Sequence, residues 1–468
     1  TIPNGATVII NTDGTVGVVT QTGSSNPGIG TTIVVNSSYS SYLASVYDPD
    51  QEKVIIAYSA NDQGNVIVGT VNGDSITFGS NIIFNDDASS WDAMAYDSSN
   101  DKLVIAYREQ GGSNYTYYGR AMVGTVSGNS ISFGSAATFR SSHSTHIAMS
   151  FDSGSGKVVI AFRDNGTSGY GKAVVGTVSG TSISFGSVTT FNSGATVDIA
   201  TAYDSTNNKT VIFYKDDGGS DYGTARVGTV SGTSISFGTA VNFNWDDTRE
   251  INAVFDSSND KVVVAYRDNE SGGNEYGAAK VGTVSGTGIT FGNEGIFNSS
   301  TTTITITAAF DSTRNKIVIP YEEQSGGNGK VVIGTVIGTG ITFTTPVLYA
   351  NTNIREYQAA AYDSANDRTV VFYSDDDGSE YITANVIKSD TLGTNLTSSN
   401  FIGFSDAAYS DGDTVNIQIE GSVDDAQSGL TTARKHYVQN DGTLSTTAGD
   451  PSVVAGTAIS GTKIIIET

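Results

Sequence analysis

Apolar residues recur along this chain in two patterns. One is a nearly unbroken run, as in Lys261-Val262-Val263-Val264-Ala265-Tyr266, which predicts a strand covered on both faces. The other alternates: Ile235 and Phe237 sit between Ser234 and Ser236, as expected of a strand with one wet face. Between them runs a third stretch, Ala225-Arg226-Val227-Gly228-Thr229-Val230, and ahead of them one that ends on an aromatic-Asp step, Ile199-Ala200-Thr201-Ala202-Tyr203-Asp204. Polar turns such as Ser205-Thr206-Asn207-Asn208 and Ser231-Gly232-Thr233 separate these stretches, so one unit predicts four antiparallel strands.

The unit repeats. Its aromatic-Asp step places an aromatic at Tyr47, Tyr96, Phe151, Tyr203, Phe255, Phe310 and Tyr362, with spacings of 49, 55, 52, 52, 55 and 52 residues. Four strands about every 52 residues fit the blade of a β-propeller. A β-solenoid is the alternative, but its repeats are shorter and need no complementary ends. The seventh unit has strands around Thr369 to Tyr373 and Ile382 to Ile387, then loses the pattern without a fourth strand. The opening of the chain has the complementary fragment. Gly14-Thr15-Val16-Gly17 and Gly28-Ile29-Gly30-Thr31-Thr32-Ile33-Val34-Val35-Asn36 resemble the later parts of a repeat. Residues 6–36 are therefore expected to complete the last blade and remove the exposed edge of an open sheet. The expected fold is all-β: a seven-bladed β-propeller over residues 1–390, with 1–36 as closing segment, and a small C-terminal β-sandwich or roll over 391–468, read as a docking domain. In the latter, strands are expected at 415–419, 435–438, 453–455 and 463–466, hairpins at Ser410-Asp411-Gly412 and Asn440-Asp441-Gly442, and a helical turn at Asp424-Asp425-Ala426-Gln427.

Composition adds to this picture. The 55 glycines suit a protein of many tight turns. With no Cys there are no disulfides or thiolate metal sites. The 48 acidic against 24 basic residues give a net charge of -24, which makes nucleic acid an unfavourable partner and cations or basic surfaces favourable ones. No apolar run is long enough to span a membrane, so no membrane insertion is expected. Thr1-Ile2-Pro3-Asn4-Gly5 lacks the basic and apolar stretches of a signal peptide.

Comparing the repeats with one another separates two sets of loops. Those between first and second strands, and between third and fourth, are nearly uniform. Those between second and third strands, and from one blade to the next, vary. The inter-blade loops hold Trp91 and Trp245, the two Trp of the chain, with His143, His146, Asp246, Asp247, Arg249, Arg355 and Tyr357, and also Tyr39, Tyr42, Asp86, Asp87 and Glu250. Aromatic and charged groups raised on a rigid scaffold suit stacking on sugars or clasping a protein, so this face is the expected ligand face.

Other chemistry is sparse. His143 and His146 have no evident third metal ligand. Asp216-Asp217, Asp268-Asn269-Glu270 and Asp375-Asp376-Asp377 offer oxygens of the kind calcium takes, without EF-hand spacing, so no cofactor beyond a weak calcium option is expected. Arg108, Arg163, Lys215 and Arg267, each followed by an acid (Glu109, Asp164, Asp216, Asp268), suggest ion pairing between blades. No Gly-x-Ser-x-Gly, His-Glu-x-x-His or phosphate loop occurs, and no catalytic residue is assigned.

Two stretches carry a resemblance. The unit running from Tyr203-Asp204-Ser205-Thr206-Asn207-Asn208-Lys209 to Ser234-Ile235-Ser236-Phe237-Gly238 resembles repeats in structural and tail-fibre-like proteins of tailed bacteriophages, marine ones especially. Asn400-Phe401-Ile402-Gly403-Phe404-Ser405-Asp406-Ala407-Ala408-Tyr409-Ser410-Asp411-Gly412, with Tyr437-Val438-Gln439-Asn440-Asp441-Gly442 and Ala455-Gly456-Thr457-Ala458-Ile459-Ser460, is similar to a small terminal domain of such virion proteins. The resemblance implies a virion structural protein: a fibre, an adhesin or a capsid or tail decoration. Other virion proteins and host surface glycans are the implied partners, and a homo-oligomer, as a trimer, the implied assembly. A secreted or cell-surface lectin-like module and an extracellular glycan-cleaving enzyme remain as alternatives.

Overall fold

The computed structural model describes residues 1–22, 26–111, 116–269, 275–375, 381–390, 393–448 and 452–467. The chain divides into two compact units, one inserted in the other in sequence: residues 26–389, and residues 1–25 with 390–468.

The inserted unit is a seven-bladed β-propeller. Blade 4 shows the pattern: an innermost strand ending at Asp204, then Lys209–Asp216, Tyr222–Ser231 and Ser234–Phe237, all antiparallel. Blades 1 to 7 start near residues 40, 88, 144, 196, 248, 303 and 354, and their innermost strands lie side by side around an axis, blade 7 against blade 1. The second strands bury their apolar runs completely: Val262, Val263, Val264, Ala265 and Tyr266 are at most 1 % exposed. Successive side chains point to opposite sides, so one run packs against two neighbouring blades. Val262 and Val264 join the core shared with blade 4, whereas Val263 and Ala265 join the core shared with blade 6.

The outermost strand is split in two. Ser234–Phe237 pairs with the third strand, and Val241 and Asn242 pair with it again further along. The break falls on Gly238, where a Cβ would lie 1.9 Å from the carbonyl oxygen of Thr287 in the next blade's turn. Gly30, Gly79, Gly134, Gly186 and Gly292 make the same approach. Blade 6 has Thr344 there instead. Blade 7 takes its fourth strand from the start of the unit, so it has no connecting turn to meet Thr344.

Closure was expected from residues 6–36, and only the last part provides it. Gly28–Ile29 and Ile33–Asn36 pair with Tyr381–Lys388 and complete blade 7. Gly30 then meets Asp74 of blade 1, whose carbonyl accepts the Thr31 N–H at 3.0 Å. Residues 1–25 belong to the second unit, which corrects the expected boundary. Thr7–Ile10 pairs with Phe401–Ser405, and Gln21–Thr22 with Gly393–Thr394. Val8 and Ile9 are both apolar and buried, so this strand serves a different core from the repeat.

Besides the two-stranded pair of Gln21–Thr22 with Gly393–Thr394, that second unit has two small sheets. One orders Val16–Val18, Thr7–Ile10, Phe401–Ser405 and Ile417–Gln418; the other has five strands, with Lys435–Val438, Val453–Ala458 and Ile464–Ile466 at its centre. Ile9, Phe404, Val438, Ala455 and Ile464 form their common core. The expected helical turn at 424–427 is absent. Val423–Asp424 is a strand, and the buried Asp424 carboxylate instead accepts from the Ala426 N–H at 3.2 Å and the Gln427 amide at 2.8 Å.

Candidate binding face

The uniform loops spend their polar groups on the fold. Asp48, Asp97, Asp152, Asp204, Asp256, Asp311 and Asp363 end the innermost strands and are at most 4 % exposed. Each carboxylate accepts backbone N–H groups of its own turn, as Asp256 does from Ser258 and Asn259, both at 3.0 Å. Some of the tyrosines before these aspartates join blades: the Tyr203 hydroxyl accepts the Gly154 N–H at 2.8 Å and the Tyr362 hydroxyl donates to Thr313 at 2.6 Å, whereas the Tyr96 hydroxyl donates to Asp101 of its own turn at 3.4 Å.

The opposite end of each innermost strand is irregular. The register slips between Ser41 and Ala44, Ser90 and Ala93, Thr145 and Ala148, Val197 and Ala200, and Arg249 and Asn252. At the slip stands a residue with left-handed backbone: Tyr42 (φ 54°), His146 (47°), Asp198 (49°), Glu250 (53°), with Thr305 (49°) in blade 6. A β-bulge of this kind re-aims a side chain, at a cost of about 1–3 kcal/mol for a non-glycine residue. Each lies six positions before its blade's buried aspartate, as do Trp91 and Tyr357. These seven positions form a circle around the axis. The Tyr42 and Tyr357 rings lie 4.8 Å apart, the Asp198 N–H donates to His146 Nδ1 at 3.2 Å, and the Gln358 amide donates to Thr305 at 2.6 Å.

The circle has an aromatic side and an acidic side. Burial, reinforced by the charge of Glu250, pushes the Asp198 carboxyl up to about 7, against the pull of Lys215, Arg267 and Arg249. Burial, with help from Arg163, pushes His146 down to about 4. His143 is also lowered, by burial and then by Arg108 and Arg163.

Outside this circle stands a second, on the second strands: Ser59, Arg108, Arg163, Lys215, Arg267, Glu322 and Ser374, each eleven positions after the buried aspartate. The basic members do not pair with the acid that follows them, because adjacent strand residues face opposite ways. Glu109 takes Arg120 at 2.8 Å, Asp164 takes Arg140 and Lys172 at 2.7 and 2.9 Å, and Asp216 and Asp268 take the amides of Asn192 and Asn244. Lys215 reaches Asp247 at 2.6 Å and Arg267 reaches Glu275 at 3.5 Å. Arg108 has neutral partners: Ser90 at 2.8 Å, His143 at 2.9 Å and the face of Tyr117 at 4.9 Å. A cleft of about 210 Å³ opens beside it, lined by Tyr42, Ser59, Asp62, Ser90 and Gln110 among others.

The sequence-derived candidates divide accordingly. Tyr357, His143 and His146 gather near the axis, but on different partners: His143 stacks on Tyr117 at 4.3 Å, whereas His146 accepts from Asp198. No group of three metal-type ligands occurs among the described residues. Trp245 lies further out, 66 % exposed and edge-on to Tyr222 at 5.4 Å. Its neighbour Asp246 is half-buried, and its carbonyl accepts from Thr248 at 2.9 Å. Asp247 is structural. Burial opposes its charge, yet hydrogen bonds from Arg249, Lys215 and Asn269 hold it at about 2. Arg249 is thereby turned towards Asp247, at 2.8 Å, on the rim. Trp91 and Arg355 fall on strands, and their side chains lie outside the described residues, as do Glu270, Asp376 and Asp377. Sequence reasoning had set Arg108 and Arg163 aside as structural and had missed Asp198 and Tyr117. Counting from each aspartate would have found the bulge circle.

No protein-family model matches this chain, and no curated protein matches it. Among solved structures, "Structure of Dos1 propeller" is similar over 78 % of this chain and 96 % of its own, at 12 % identity and a TM-score of 0.46.

Proposed function

We propose that this chain is a non-enzymatic binding protein of a bacteriophage particle, and that the bulged face of its propeller contacts host surface glycans or a neighbouring virion subunit. The contrast between the two faces carries the reading. One face repeats in every blade the bond that a buried aspartate accepts from the N–H three residues on, and leaves little to offer a partner. The other holds non-glycine residues in left-handed conformations that differ from blade to blade: Tyr42, His146, Asp198, Glu250 and Thr305. Left-handed backbone held at one position of the repeat, carrying varied polar and aromatic groups around one axis, suits a binding surface. The bacteriophage part rests on the sequence resemblance. Two measurements test the proposal: retention of oligosaccharides by the purified chain, without their cleavage, and detection of the chain by mass spectrometry in purified virions. Absence from virions removes the particle assignment, and failure to hold any sugar removes the glycan.

One observation favours a second reading, glycan cleavage. Asp198, raised to about 7 beside Glu250, would suit a general acid with a carboxylate partner. Reducing ends released by the wild-type chain and lost in Asp198→Asn would establish it.

A further inference from the structure

The net charge of -24 makes one region of the bulged face exceptional. Arg108, His143 and Arg163 gather where blades 2 and 3 meet. Arg108 Nη1 lies 2.9 Å from His143 Nε2, and Arg163 pairs across the strands with Thr145, which lies between His143 and His146. Among the described residues neither arginine forms an ion pair. The bonds of Arg108 go to Ser90 and His143, and that of Arg163 goes from Nε to Asn165 at 2.9 Å. Arg108 Nη2 and both Nη atoms of Arg163 therefore keep donors without an acceptor among the described residues. Their counterparts in blades 4 and 5 are neutralised, Lys215 by Asp247 and Asp221, and Arg267 by Glu275.

Holding unneutralised cations partly out of water costs free energy unless something completes them. The chain has 48 acidic residues, and among the described ones none is paired with either arginine. Arg108 also flanks the 210 Å³ cleft, where Tyr42 offers a ring and Ser59, Ser90 and Gln110 offer hydrogen bonds. Asp62, the one carboxylate among the described lining residues, is exposed to screening solvent. A guanidinium fork beside an aromatic wall matches a sugar ring that carries an anionic substituent.

We infer that Arg108 and Arg163 form an anion subsite on the bulged face, and that the glycan it takes carries a carboxylate or sulfate group. The inference rests on the glycan-binding reading and narrows it. The cleft beside Tyr42 takes the sugar ring, and the free guanidinium donors take its charged oxygens.

The test uses an array of oligosaccharides carrying glucuronate, sialate, sulfate or no charge, probed with the full chain. Acidic sugars are expected to be retained over neutral ones, and the glucuronate and sulfate arms separate the two anion chemistries. Arg108→Gln and Arg163→Gln should each weaken the best acidic ligand at least tenfold, while Arg267→Gln leaves it unchanged. Thermal melts check that the variants fold. Should one not fold, the wild-type chain decides: sodium sulfate should displace the acidic sugar more strongly than sodium chloride of equal ionic strength. Neutral sugars held as tightly as acidic ones, unchanged affinity in both Gln variants, or equal displacement by the two salts would overturn the subsite and leave glycan binding standing. No retention of any sugar would overturn both.

Discussion

The Tyr47 hydroxyl accepts the Ala365 N–H at 3.3 Å, a hydrogen bond between residues 318 apart in sequence. It joins blade 1 to the turn of blade 7, as Tyr203 joins blade 4 to the turn of blade 3. The closing junction thus repeats an internal one. Tyr47→Phe should cost about 1 kcal/mol, the usual worth of one such bond. Urea unfolding monitored by fluorescence measures it, with Tyr203→Phe expected to cost a similar amount.

The split outer strand makes a sharper prediction. A Cβ on Gly186 would lie 1.8 Å from the carbonyl oxygen of Thr233, so the neighbouring blade must retreat. Gly186→Ala should destabilise by at least about 2 kcal/mol. Thr344→Gly, at the same position, meets no turn but loses the hydroxyl that accepts the Ile333 N–H at 3.1 Å, so it should cost about 1–2 kcal/mol, less than Gly186→Ala. Equal costs in chemical denaturation would remove the proposed reason for glycine.

Stability should depend on pH in two opposite ways. Asp198, raised to about 7, stabilises the fold fully below its unfolded value of about 3.9, and that contribution is lost as pH rises through 7. His146, lowered to about 4, works against it over the same range, so the difference between variant and wild type is the quantity to read. Asp198→Asn should gain stability relative to wild type between pH 4 and 8. Asp164 runs the other way. Burial raises it, but Lys172, Ser142, Thr167 and Arg140 bring it to about 2, so its contribution is present above pH 4 and lost as pH falls through 2. Asp164→Asn should flatten that acid limb. Melting temperatures from pH 2 to 8 test both.

The division of the chain predicts what can be cut. Residues 26–389 hold every strand of the ring, so this fragment should fold as a cooperative all-β unit with a thermal transition of its own. A fragment of residues 1–390 keeps Thr7–Ile10 but loses its partner Phe401–Ser405, and the exposed Val8 and Ile9 should make it less soluble. Circular dichroism and light scattering compare them.

Much of the ring was legible because its physics repeats. The apolar run at Val262 to Tyr266 and the alternation at Ile235 and Phe237 report burial directly, and seven copies fix the blade. Two things were hidden. Thr7–Ile10 pairs with Phe401–Ser405 across nearly the whole chain, and neither strand carries a repeated mark. The bulges at Tyr42, His146, Asp198 and Glu250 leave no hydrophobic period, because a left-handed residue interrupts the alternation that reveals strands. Ion pairing between blades was expected at Arg108 and Arg163 and the acids after them, but adjacent strand residues face opposite ways. The turn of the strand sends those acids to Arg120, Arg140 and Lys172 instead.

On the proposed function, one face binds and the other only holds the ring together. The most direct measurement is oligosaccharide retention by paired single variants of the full chain. Tyr42→Ala, Trp245→Ala and Arg108→Gln alter the bulged face; Ser99→Ala, Thr206→Ala and Ser258→Ala alter the uniform one. Retention should fall at least fivefold in the first set and hold in the second, with melting temperatures of exposed Trp245→Ala unchanged. Equal loss on both faces, or loss confined to the uniform one, would contradict it.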